Sequence, residues 1–159
     1  MVVVVYAKDL ERSFRARKGE FEQRTRSAGH GWSEYDCTRV FAEWMARDEY
    51  REAYFTSPED LDMKLAGEFA EDVAAGLRAR LVASDANTVV ALTGVASLYG
   101  FTRVSDLVRA VEPDIQGRLV VFFPGTKEGS NYRLLDARDG WSYLALGITL
   151  DGGGGLDTR

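Results

Sequence analysis

Cysteine and histidine are almost absent from this chain of 159 residues: Cys37 and His30 are the single examples. One cysteine closes no disulfide within the chain, and one residue of each kind excludes zinc sites built from several Cys or His ligands. No run approaches the roughly eighteen apolar residues that a membrane span needs. The first residues pass from Met1 straight into Val2-Val3-Val4-Val5, without the basic lead and long apolar core of a secretion signal, so a cytoplasmic location is expected. Basic charge is also short, with 20 Lys and Arg against 25 Asp and Glu, a net charge of −5. That balance suits solubility better than a grip on polyanions. Apolar residues at 45% and charged residues at 28% are ordinary for a globular domain, which excludes disordered, collagen-like and coiled-coil classes for the chain as a whole.

The charge is unevenly spread. Residues 1–30 carry a net +3, residues 31–80 a net −6 and the remainder −2. The basic excess lies in Arg12, Arg15, Arg17, Lys18, Arg24 and Arg26. These residues read as the solvated side of one helix, or as a weak nucleic-acid contact through Arg12, Arg15 and Lys18.

What the chain does contain is a set of β-branched runs. Residues 2–6, 88–92 and 119–123 are apolar without alternation, the pattern of central parallel strands covered on both faces. Residues 141–148 read as a last strand nearer an edge, and residues 32–37 as a weaker candidate. Between them lie helical patterns. Asp9 is placed to cap a helix to about Ala28, with Leu10, Phe14, Phe21 and Ala28 on one face. Thr38 is placed to cap a short helix that buries Val40, Phe41, Trp44 and Met45. Ser57-Pro58-Glu59-Asp60 opens the longest helix, striped by Leu61, Leu65, Phe69, Val73, Leu77 and Leu81 and ended by residues 84–87. A fourth helix over residues 103–112 stops at Pro113. The alternation predicts a three-layer α/β fold: a mostly parallel open sheet of about five strands with helices on both faces. One domain is expected over residues 1–150, followed by a flexible glycine-rich tail over 151–159.

Open α/β sheets bind ligands at the carboxyl ends of their strands. Those ends carry no glycine-rich phosphate loop: Ala7-Lys8-Asp9 follows the first strand, and Pro124-Gly125-Thr126-Lys127 lacks Walker spacing. Ser97 lies between glycines at the wrong spacing for a nucleophile elbow. His30 sits in a Gly-His-Gly turn, and Cys37 beside Asp36 reads as a buried thiol whose pKa is raised. The expectation is a protein without catalytic residues, cofactor or metal. A small hydrolase or nucleotide-binding enzyme using Asp36, Thr93 and Gly125 stays open as the alternative.

Two polar and aromatic groups stand out as surfaces for a partner. One is Asn131-Tyr132-Arg133-Leu134-Leu135-Asp136-Ala137-Arg138-Asp139-Gly140-Trp141, read as an ion-paired loop between the last two strands, with Tyr132, Arg133, Asp136, Arg138 and Asp139 as contact residues. The other is Trp44, Tyr50, Tyr54 and Phe55, bracketing a run of charges. Large amphipathic rings of this kind suit interfaces and core edges equally.

Several stretches, taken in order, resemble the BrxB-like family of BREX bacteriophage-defence systems. They are Gly29-His30-Gly31-Trp32, Phe41-Ala42-Glu43-Trp44, Tyr50-Arg51-Glu52-Ala53-Tyr54-Phe55, Leu92-Thr93-Gly94-Val95, Arg103-Val104-Ser105, and above all residues 118–125 with 131–146. The resemblance spans about residues 2–150. It implies membership of a multi-protein assembly in which chemistry belongs to neighbours: a DNA methyltransferase, a large ATPase and the alkaline-phosphatase-like PglZ. A non-catalytic scaffolding role beside PglZ is what it leads one to expect. The chain departs from the family in starting at its first strand, where relatives tend to have a helical extension. It also departs at Ala7-Lys8, which replaces a proline-containing turn, and at Gly147, where proline is common.

Overall fold

In a computed structural model, described over residues 1–135, 141–142, 145–150 and 156–157, the β-branched runs form the middle of one sheet. Its strands are β1 (Val2–Tyr6), β2 (Gly31–Asp36), β3 (Thr88–Thr93), β4 (Arg118–Glu128), β5 (Asn131–Leu134), β6 (Trp141–Ser142), β7 (Leu146–Leu150) and β8 (Leu156–Asp157). The order is β2-β3-β4-β1-β7-β8, and the first five of these run parallel. The three-layer α/β expectation holds. Val3, Val5, Leu92, Leu119, Val121 and Phe123 face one helical layer, while Val4, Tyr6, Ala91 and Phe122 face the other, which is why neither set alternates with polar residues.

One face is covered by α1 (Glu11–Ser27). Phe14 stacks on Tyr6 at 4.7 Å and meets Phe122 at 4.8 Å, and Phe21 meets Phe122 edge-on at 5.0 Å. The other face is covered by α2 (Val40–Arg47), α3 (Arg51–Thr56), α4 (Asp62–Lys64), α5 (Ala70–Val82) and α6 (Val104–Val111). There Phe41 stacks on Phe101 at 4.1 Å, and both lean edge-on against fully buried Phe69.

Several local expectations need correction. Asp9 lies inside a 3₁₀ turn (Lys8–Leu10) and does not cap α1; the helix begins at Glu11, whose carboxylate accepts a 2.5 Å bond from the buried Tyr6 hydroxyl. The turn into α2 is capped by Asp36, not Thr38: Asp36 Oδ1 accepts from the Thr38 amide at 2.9 Å and hydroxyl at 2.5 Å. The longest helix is not one regular cylinder. Pro58–Leu61 is 3₁₀, and a π turn (Leu65–Phe69) joins α4 to α5. A stripe spaced every four residues rotates by about 40° per step on a 3.6-residue helix. The wider turn takes in an extra residue between Leu61 and Phe69, and beyond it α5 buries Val73, Leu77 and Leu81 on one face.

The largest correction concerns residues 124–150. β4 continues beyond the parallel sheet through Pro124 and Gly125 and forms an antiparallel hairpin with β5, turning at Gly129 with φ +62°. Pro124 stands where the strand leaves its parallel neighbours, a position that tolerates the missing N–H. The stretch expected as a polar loop thus begins as a strand. The single strand expected over 141–148 divides into β6, paired with β5, and β7, paired with β1. Of the expected tail, Leu156 and Asp157 pair antiparallel with β7; the rest lies outside the described residues.

Candidate functional site

The carboxyl ends of β2 and β3 bring charged side chains together. Glu34 and Asp36 alternate with Tyr35 along β2, so both carboxylates rise on the α1 side. Lys18, one turn beyond Phe14 on α1, reaches between them, 2.5 Å from Glu34 Oε1 and 3.2 Å from Asp36 Oδ2. The hydroxyl of Thr93, a residue 3% exposed at the end of β3, donates to Glu34 Oε1 at 2.7 Å. Burial raises the Asp36 pKa, but the Thr38 hydroxyl and amide and the Lys18 ammonium outweigh it and hold the carboxyl below the ordinary range. Burial likewise opposes the charge on Lys18, and its bonds to Glu34 and Asp36 prevail, raising its pKa.

A cleft of about 420 Å³ runs beside these groups. Lys18, Glu34 and Asp36 line it from one face of β2; Tyr35, Glu43, Arg47, Asp72 and Arg80 line it from the other. A cavity touching both faces of β2 lies along its outer edge, because β3 occupies the inner one. On that second wall Arg47 pairs with Asp72 at 2.8 Å. Burial, helped by the charges of Cys37 and Asp72, pushes the Tyr35 hydroxyl up to about 12.

The residues singled out in the sequence divide sharply. Tyr132 and Trp44 are core residues, 1% and 8% exposed. Tyr132 packs edge-on to Phe123 at 6.1 Å and donates to the Ala145 carbonyl at 3.3 Å, while Trp44 leans on Phe69 at 5.3 Å. Neither offers its ring to a partner, because the hairpin and the α2–α5 layer fold over them. Tyr54 is half-buried, with Lys64 Nζ 5.5 Å from its ring centroid, and Tyr50 is exposed. Arg133 stands 3.6 Å from Glu128 across the hairpin. Asp136, Arg138 and Asp139 lie outside the described residues. In the basic helix, Arg12 is exposed, Arg15 is tied to Glu11 at 2.7 Å, and Lys18 turns inward to the β2 carboxylates. Two of the three basic residues read as a nucleic-acid contact are therefore held by acids of the same chain.

Among the strand-end residues considered for catalysis, Asp36 and Thr93 do meet in this cluster, and Gly125 instead starts the β4–β5 hairpin. Cys37 is fully buried; burial, then the charge of Asp36, pushes its thiol up to about 12. His30 bonds Asn87 through Nδ1 at 2.7 Å, at the opposite end of the sheet. Sequence reasoning missed Glu34 and its bridge to Lys18. The visible signal was two acids spaced by two in a strand otherwise bearing aromatics. Among the described residues, no group of three or more His, Cys, Asp and Glu is placed to hold a metal ion, and no helix is long and apolar enough to cross a membrane.

The fold and this cluster define a three-layer α/β protein whose strand-end charges bind one another. A family model described as BREX protein BrxB matches residues 38–146. The chain belongs to the BrxB family, a component of BREX defence systems, and the resemblance noted in the sequence is confirmed over that span. No curated protein and no solved structure matches it.

Proposed function

We propose that the chain is a cytoplasmic, non-catalytic adaptor of a BREX bacteriophage-defence assembly, docking a larger partner of the PglZ kind. The observation that carries this reading is the mutual satisfaction of the polar groups at the strand ends. Lys18 bonds both Glu34 and Asp36, the bonds to Asp36 hold its carboxyl below the ordinary range, and Thr93 spends its hydroxyl on Glu34. A general acid or base needs a proton poised to move near working pH, and a nucleophile needs a base beside it. An Asp36 carboxylate held ionised by Thr38 and Lys18 and a thiol buried at high pKa supply neither. Family membership makes other BREX proteins plausible partners. The stretch from α3 to α4 supplies apolar contact area: Tyr50, Phe55 and Met63 are 60%, 73% and 88% exposed.

The test is capture of the PglZ-like protein by tagged chain from the native host. Tyr50→Ala with Phe55→Ala is expected to weaken capture by about tenfold, as removal of interface aromatics does, while the melting temperature holds. Turnover of a nucleotide or ester by the purified chain, abolished by Glu34→Gln, overturns the reading.

A further inference from the structure

The two edges of the sheet differ. Beyond β7 lies the short β8, whereas β2 has β3 on its inner side and, among the described residues, no strand on its outer side. In a parallel ladder, successive residues send their N–H and C=O groups to alternate sides. The Gly31 amide bonds the Asn87 carbonyl on the β3 side, so the amides and carbonyls of Trp32 and Glu34 and the amide of Asp36 point outward, while the Asp36 carbonyl opens the 3₁₀ turn that follows β2. The Trp32 carbonyl is taken by Arg26 Nη2 at 3.2 Å, which closes the first half of the edge. The second half faces the 420 Å³ cleft. Natural sheets usually blunt such an edge by covering it. Here no strand among the described residues covers the second half of the edge, and β2 contains no proline.

We propose that the outer edge of β2 accepts an extended segment of a partner protein as an added strand, with a lysine or arginine of that segment facing Glu34 and Asp36. This rests on the adaptor reading and adds a second contact to the exposed stretch from α3 to α4. The backbone of the incoming segment bonds the amide and carbonyl of Glu34 and the amide of Asp36, and its side chains alternate between the two walls of the cleft. Charge selects which residues it carries. On the α1 wall, two carboxylates share one ammonium, that of Lys18, so the three groups together carry a net negative charge. On the other wall, Arg47 and Asp72 already neutralise each other. A second copy of this chain is a poor occupant, since β2 against β2 brings the same acids together, a repulsive arrangement.

The test is amide exchange, read by NMR, on the full chain titrated with the synthetic peptide Thr-Lys-Val-Lys-Val-Thr and with its counterpart bearing glutamate at both lysines. The lysine peptide is expected to slow exchange at Glu34 and Asp36, and the glutamate peptide to leave it unchanged. Glu34→Gln is expected to weaken the lysine peptide by about threefold, the scale of one exposed ion pair. Lys18→Met, which removes the competing ammonium and keeps the apolar stem, is expected to strengthen it by a similar factor, a sign that mere damage to the fold does not produce. Unchanged exchange with both peptides, while the PglZ-like protein is still captured, overturns the edge proposal and leaves the adaptor reading standing. Protection by the lysine peptide without that capture overturns the choice of partner and supports the edge. Protection of residues 32–36 that grows with the concentration of the chain alone makes the occupant a second copy and overturns the proposal.

Discussion

Gly94 abuts Asp36 where β3 and β2 end. A Cβ on Gly94 would stand 2.5 Å from Asp36 Oδ1, 2.6 Å from the Thr38 hydroxyl and 2.7 Å from the Thr38 amide, and the residue holds φ at +67°. The turn that caps α2 is thus seated on a glycine left-handed in conformation. Gly94→Ala combines an unfavourable φ with a clash against backbone, and is expected to cost about 2 kcal/mol or more. Thermal denaturation would read this as a fall of about 5 °C or more.

Asp36 also sets part of the acid stability. Its carboxyl titrates below the ordinary range in the folded chain, so its stabilisation is fully present above the unfolded pKa of about 4 and is lost as pH falls through the folded value. Melting temperatures measured from pH 6 downward should fall in the native chain. Asp36→Asn is expected to start lower at pH 6 and to show a shallower acid limb; an unchanged limb would place the acid sensitivity elsewhere.

Cys37 should be inert in the folded chain. With its thiol buried and pushed up to about 12, it is expected to resist Ellman's reagent at pH 8 and to react promptly once denaturant unfolds the protein. Rapid native-state labelling would mean that the turn at the end of β2 opens readily.

Tyr132 separates packing from recognition. Tyr132→Phe removes the hydroxyl, with its bond to the Ala145 carbonyl, and is expected to cost about 1 kcal/mol. Tyr132→Ala empties a core position beside Phe123 and is expected to cost about 3–5 kcal/mol. Urea titration of both variants checks the pair. A phenylalanine variant that unfolds as readily as the alanine one would show the hydroxyl, not the ring, to be the anchor.

The candidate site was only half legible. Asp36 and Thr93 could be picked out as strand-end polar residues, because a strand's end is visible where its β-branched run stops. Lys18 could not be assigned to them: it lies sixteen residues from Glu34 in a helix full of other basic residues, and only the crossing of α1 over the sheet decides which one turns inward. The hairpin was hidden for a related reason. Pro124-Gly125-Thr126-Lys127 has the composition of a loop, yet the strand continues because β5 pairs with it residue for residue, from Gly125 opposite Leu134 to Glu128 opposite Asn131.

Local sequence alone determined the strands β1 and β3, the parallel first half of β4 and the apolar stripes of the helices, because side-chain spacing and β-branching act on the backbone within a few residues. It also determined how poor the chain is in thiols and imidazoles. Tertiary structure decided that Tyr132 and Trp44 lie inside while Tyr50 lies outside, that Lys18 joins Glu34 to Asp36, and that β2 stands at the edge. Those outcomes depend on which distant segments cover a given residue. Strand order and helix crossing are settled by burial summed over the whole chain, and no short window of sequence contains that sum.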